Sequence, residues 1–78
     1  SIKLPLTVSI NSKDYKKIIK LENVLSDIDL ISNFYILKFN SENTQYKIIY
    51  NGSPKTFFND MSKNNLDLIM ENNIWTVK

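Results

Sequence analysis

Acid–base or hard-metal chemistry in this chain falls to its carboxylates: Asp14, Glu22, Asp27, Asp29, Glu42, Asp60, Asp67 and Glu71. Asp27 and Asp29 form the tightest pair. They lack the glycine and the regular oxygen spacing of a calcium loop, so they read as solvated loop carboxylates. No His is present, which removes the commonest general base and metal ligand. No Cys is present either, which removes disulfides, thiolate zinc, iron–sulfur clusters and a thiol nucleophile. Every cation is Lys and none is Arg, so no bidentate guanidinium grip on phosphate or carboxylate can form.

A serine nucleophile needs an activating base, and here only a Lys or a carboxylate could serve. Ser12, Ser32, Ser41, Ser53 and Ser62 lie outside any strand-to-helix nucleophile elbow. The single glycine, Gly52, cannot build a phosphate-cradling loop. Its neighbours Ser53 and Pro54 read as a helix cap rather than an anion site. The chain therefore reads as a non-enzyme with no cofactor and no metal.

Behind these residues stand elements that hydrophobic spacing makes legible. Leu6, Val8 and Ile10 alternate with small polar residues, which predicts a strand over 4–10 with Pro5 near its start. Asn11 or Ser12 can cap a helix over 13–26, whose apolar face is Ile18, Leu21, Leu25 and Ile28, widened by Tyr15 and Val24. The lysines 13, 16, 17 and 20 lie mostly off that face. Residues 34–39 and 44–50 are dense in aromatic and β-branched residues around an Asn40–Asn43 turn, a hairpin signal. Residues 27–32 are compatible with helix, loop or early strand. Gly52-Ser53-Pro54 opens a second helix with Phe57, Phe58 and Met61 on its face, ending near Asn64-Asn65. Leu66–Met70 and Ile74–Val77 then read as two short strands joined by a turn at Glu71-Asn72-Asn73.

The order strand, helix, strand, strand, helix, strand predicts a ferredoxin-like β-α-β-β-α-β sandwich. Its sheet would be antiparallel in the order 4-1-3-2, with both helices on one face and a C-terminal β-hairpin extension. At 78 residues and 42% hydrophobic, the chain suits one domain over 1–78. Ten lysines against eight acids leave a net charge of only +2. Eleven Asn, eleven Ile and no Ala match codons rich in A and T, so the Lys and Asn counts are discounted as functional signals. No apolar run approaches a membrane span and no signal-peptide pattern is present. A first residue of Ser rather than Met reads as a domain excised from a longer protein.

Two helices covering one sheet face leave more apolar side chains in the hairpin than they can shield. The expected role is a protein-interaction or assembly module, with a protein partner or a second copy meeting the open face or the edge of the second strand. Candidate contact residues are Phe34, Ile36, Lys38, Lys47, Ile49 and Trp75. Trp75 is weighed between closing the core and anchoring a partner. Nucleic acid is the main rival, because RNA-recognition modules share the strand order and Tyr46, Lys47 and Tyr50 faintly echo their stacking residues. The Gly-containing signature of those modules is missing, so nucleic acid is disfavoured. An amino-acid-binding ACT-type domain shares the topology but not its glycine-rich turn.

The series Leu6-x-Val8, Asp14-Tyr15, Tyr50-x-Gly52-Ser53, Leu66-x-Leu68 and Trp75 resembles the C-terminal module of a bacterial envelope-associated family of unknown function. Tyr15 stands where that pattern usually has Trp, and residues 26–33 do not align cleanly. The resemblance implies an accessory domain in a periplasmic or envelope setting, with no functional residues to transfer.

Overall fold

The computed structural model describes residues 3–78. Its elements are β1 (Leu4–Asn11), α1 (Tyr15–Asp27), β2 (Ile31–Phe39), β3 (Asn43–Tyr50), α2 (Pro54–Lys63), β4 (Leu68–Glu71) and β5 (Ile74–Val77).

The start of α1 is set by competition for side-chain acceptors. Asn11 ends β1, and its Oδ1 accepts the Lys13 amide at 2.9 Å. Ser12 turns inward, its Oγ 2.7 Å from the Asn40 carbonyl and 2.8 Å from Thr44 Oγ1. Neither is left to cap the helix, so the expected caps give way to Asp14, which accepts the Lys17 amide at 3.1 Å. A carboxylate there also matches the helix dipole.

The ambiguous stretch 27–32 divides three ways: Asp27 ends α1, residues 28–30 form a short turn, and Ile31 and Ser32 open β2. The Ile28 amide closes on Val24 O, the Ile31 amide on Ile28 O, and the Asn51 amide on Leu30 O at 2.8 Å. Helix α2 starts as its sequence implies, with Ser53 capping the Thr56 amide and Pro54 in the first turn. It ends in a Schellman arrangement: the Leu66 amide donates to Met61 O, the Asn65 amide to Ser62 O, and Asn65 adopts φ 61°. Asn72 and Asn73, at φ 51° and 65°, form the two-residue turn between β4 and β5. Left-handed φ at both central residues matches the twist of a tight hairpin.

The fold is α+β, with a five-stranded mixed sheet in the order β2-β3-β1-β5-β4. The neighbours β2, β3 and β1 pair antiparallel as expected. The far side departs from the antiparallel 4-1-3-2 expectation. There β5, not β4, lies against β1 and runs parallel to it. Strand β4 leaves α2 running opposite to β1, and the Asn72-Asn73 turn reverses β5. Trp75 and Val77 of β5 pack on or in the core, so β5 takes the inner place. Strand β4, with Ile69, Met70 and Glu71 exposed, takes the edge.

Both helices lie on one face of this sheet. Tyr46 and Tyr50 sit four residues apart in β3, so their side chains leave the same side of the strand. Tyr46 Oη donates to Glu22 of α1 at 2.5 Å, and Tyr50 Oη donates to Asp60 of α2 at 2.7 Å. The shared core contains Leu6, Val8 and Ile10 of β1, Leu21, Val24 and Leu25 of α1, Ile48 of β3, and Phe57 and Met61 of α2. No helix is long and apolar enough to cross a membrane.

Candidate functional site

The two edges of the sheet are unequal. Strand β4 is four residues long, whereas β2 is nine and reaches about 30 Å at ordinary strand rise. Strand β2 has a sheet neighbour on one side only. Its outer row of backbone amides and carbonyls is a template for pairing with another strand. Tyr35, Ile36, Leu37 and Phe39 of this strand are 48%, 53%, 48% and 69% exposed. Its single charge is Lys38.

Two irregularities break the β2–β3 register, between Ile31 and Asn33 and between Ile36 and Lys38. The second carries Leu37 as an extra residue. Strict alternation puts Phe39 on the side of Tyr35, but after the bulge it lies opposite Thr44, on the helix side with Phe34 and Ile36. That shift brings Phe39 into a groove of about 410 Å³ between the outer flank of α1 and the end of β2.

Tyr15, Ile18, Ile36 and Phe39 wall the groove, and Lys13 and Ser41 also line it. Four further lining residues with polar side chains, Glu22, Tyr46, Ser12 and Thr44, are buried or half-buried. These are already engaged in the Tyr46–Glu22 and Ser12–Thr44 hydrogen bonds. Burial, reinforced by the Glu22 carboxylate, pushes the Tyr46 hydroxyl well above the usual tyrosine range, so it stays a neutral donor. With these four paired among themselves, Lys13 and Ser41 remain as the polar side chains beside otherwise apolar walls.

The six residues expected to form a contact surface are split across the sheet. Phe34 is half-buried on the helix side, its ring 6.5 Å from that of Tyr46, and Ile36 lies beside it in the groove wall. Lys38, Lys47 and Ile49 share the opposite face, because Lys38 pairs with Gln45 and Tyr35 with Lys47. Lys47 Nζ reaches Thr7 Oγ1 at 3.4 Å. Trp75 lies beyond β1, opposite Val8, with its ring 6.0 Å from Phe58. Its Nε1 is buried without a hydrogen-bond partner among the described residues.

The structure thus joins Ile36 with Tyr15 and Phe39, neither of which the sequence singled out as a contact residue. Tyr15 was expected to widen the core face of α1, yet it is 73% exposed. At 100° per residue it stands roughly 120° around the helix from Leu21, a displacement its spacing already contained. Phe39 had no such signal, because its side depends on the bulge.

Tyr46 and Tyr50, considered as stacking residues for RNA, are 1% and 0% exposed and hydrogen-bonded to the helices. They are not available to bases. Asp27 and Asp29 are both exposed, and among the described residues no group of three acidic side chains is placed to hold a metal ion. No protein-family profile, curated protein or solved structure matches this chain.

Proposed function

We propose that this domain is a non-catalytic interaction or assembly module that receives an extended protein segment along the edge of β2. In this reading a ferredoxin-like frame, β1-α1-β2-β3-α2, is completed by the terminal hairpin on its far side, leaving β2 as the working edge. The observation that carries it is the long exposed edge strand lying directly beside an apolar groove. Backbone pairing along β2 supplies affinity. Alternate side chains of the added strand enter the space between Tyr15 and Phe39, which supplies selectivity. The expected setting, an accessory domain of a bacterial envelope-associated protein, agrees with this role.

Selection of displayed peptides against the purified domain tests it. Bound peptides should shift the amide resonances of residues 33–39 and 15–19. They should also lose at least tenfold in affinity on the Ile36→Lys/Phe39→Lys variant, with folding checked by circular dichroism. Binders that map to the open face or the β4 edge, or a selection that yields none, would reject the reading.

A further inference from the structure

We propose that the segment received by β2 is β2 of a second copy, paired antiparallel about a two-fold axis through Tyr35. This inference rests on the interaction-module reading and names its partner.

The first support is the distribution of charge. Between residues 27 and 39 the only charged side chains are Asp27 and Asp29 at one end and Lys38 at the other. All three are exposed. Antiparallel pairing of two such segments carries the acidic end of each toward the partner's β2–β3 turn, where the cations Lys38 and Lys13 outnumber the acid Glu42. A parallel pairing would set like charges side by side.

The second support is register. Pairing that preserves the faces of a joined sheet must set helix-side residues against helix-side residues. An axis through Tyr35 places Phe34 opposite the partner's Ile36, both on the helix side, and Tyr35 opposite the partner's Tyr35 on the other side. Apolar and aromatic cross-strand pairs of this kind stabilise antiparallel sheets. Lys38 then faces the partner's Ser32 rather than another charge. The regular stretch between the two bulges, Asn33–Ile36, lies at the centre of the seam.

The third support is closure. A two-fold contact uses the same strand on both copies and leaves only the short β4 edges outward, so the assembly stops at two. Both helical layers fall on one side of the joined sheet, and the groove beside each Tyr15 opens onto the seam.

Because the chain contains no Cys, single-cysteine variants report the seam without background. Sedimentation equilibrium should show a concentration-dependent monomer–dimer equilibrium. Mild oxidation should link the Tyr35→Cys variant to itself in high yield and leave Ile69→Cys, on the β4 edge, unlinked. Lys38→Asp should weaken association several-fold at low salt, and adding Asp29→Lys should restore part of it. In half-molar salt these differences should shrink. A chain that stays monomeric at millimolar concentration, with no crosslink in the Tyr35→Cys variant, overturns the second copy as partner while peptide binding at β2 still tests the module reading on its own. Dimers that form through Ile69→Cys and ignore the β2 substitutions overturn both.

Discussion

Two corners of this molecule are built from the same parts and finished differently. In each, a tyrosine of β3 donates its hydroxyl to a helix carboxylate and a phenylalanine packs near its ring. At the Tyr50 corner Phe57 meets the ring edge-on at 5.2 Å and 72°, and both residues are fully buried. At the Tyr46 corner Phe34 stands 6.5 Å away, tilted and half-buried, and the groove beside α1 exposes Ile36 and Phe39. A hydrogen-bonded tyrosine therefore does not by itself seal a corner. Both tyrosines pair with β1 and β2, so the difference lies in the ring beside each: Tyr50 is closed by Phe57 from α2, whereas Tyr46 has only Phe34 from the edge strand.

The contrast predicts an order of effects. Removing a ring from the closed corner should cost most: Phe57→Ala should destabilise by about 4 kcal/mol through the transfer and cavity terms together. Phe34→Ala, from the open corner, should cost about half of that, since water already reaches the site. Urea denaturation monitored by circular dichroism measures both. Equal losses would mean that the Tyr46 corner is as tightly packed as its counterpart.

Gly52 sharpens the comparison. A Cβ added there would lie 2.7 Å from Cε2 of Tyr50, whose ring is pinned by Phe57 and by the bond to Asp60. Its need is for space. Gly52→Ala should cost about 2 kcal/mol by overpacking, and the Gly52→Ala/Tyr50→Ala double variant should show non-additivity in thermal unfolding.

Next come the hydroxyls. Tyr50→Phe and Tyr46→Phe should each destabilise by about 1.5 kcal/mol, because each leaves a carboxylate short of a donor. Both hydroxyls are held well above the usual tyrosine range, by burial first and by the neighbouring carboxylate second. The folded state therefore keeps these protons more tightly than the unfolded chain, whose tyrosines titrate at about 10. Their contribution is complete below that pH and is lost as pH rises above it. A pH series of denaturation midpoints should fall above pH ~10, and the Tyr→Phe double variant should flatten that fall. An unaltered alkaline limb would assign it to other groups.

The smallest stability effects should come from the exposed residues of the open corner. Tyr15→Ser and Phe39→Ser should leave the midpoint within about 0.5 kcal/mol of the parent, as exposed positions generally do. The same changes should weaken association measured by sedimentation. That separation between stability and association is absent for Phe57, and finding it absent for Phe39 would remove the case for an open, working corner.

Much of this fold was written locally. Period-two spacing marked β1 and β3, the Ser53-Pro54 pair marked the start of α2, and Asn72-Asn73 marked the final turn, because each depends on neighbours a few residues apart. The cap of α1 was not legible, since Asn11 and Ser12 are equally good caps until Thr44 and Asn40 claim Ser12. The side occupied by Phe39 was hidden for a similar reason, because one extra residue at Leu37 reverses the alternation after it.

What the amino-acid sequence determined alone was the set of elements, their order and the absence of thiol and imidazole chemistry. These follow from residue type and from contacts within a turn or two of chain. Only the tertiary structure decided that β5 rather than β4 lies against β1, that both large tyrosines of β3 are spent on the helices, and that Tyr15 meets Phe39 across a groove. Each of those outcomes depends on competition between segments distant in the chain for the same edge, hydroxyl or cavity, and local spacing carries no record of who wins.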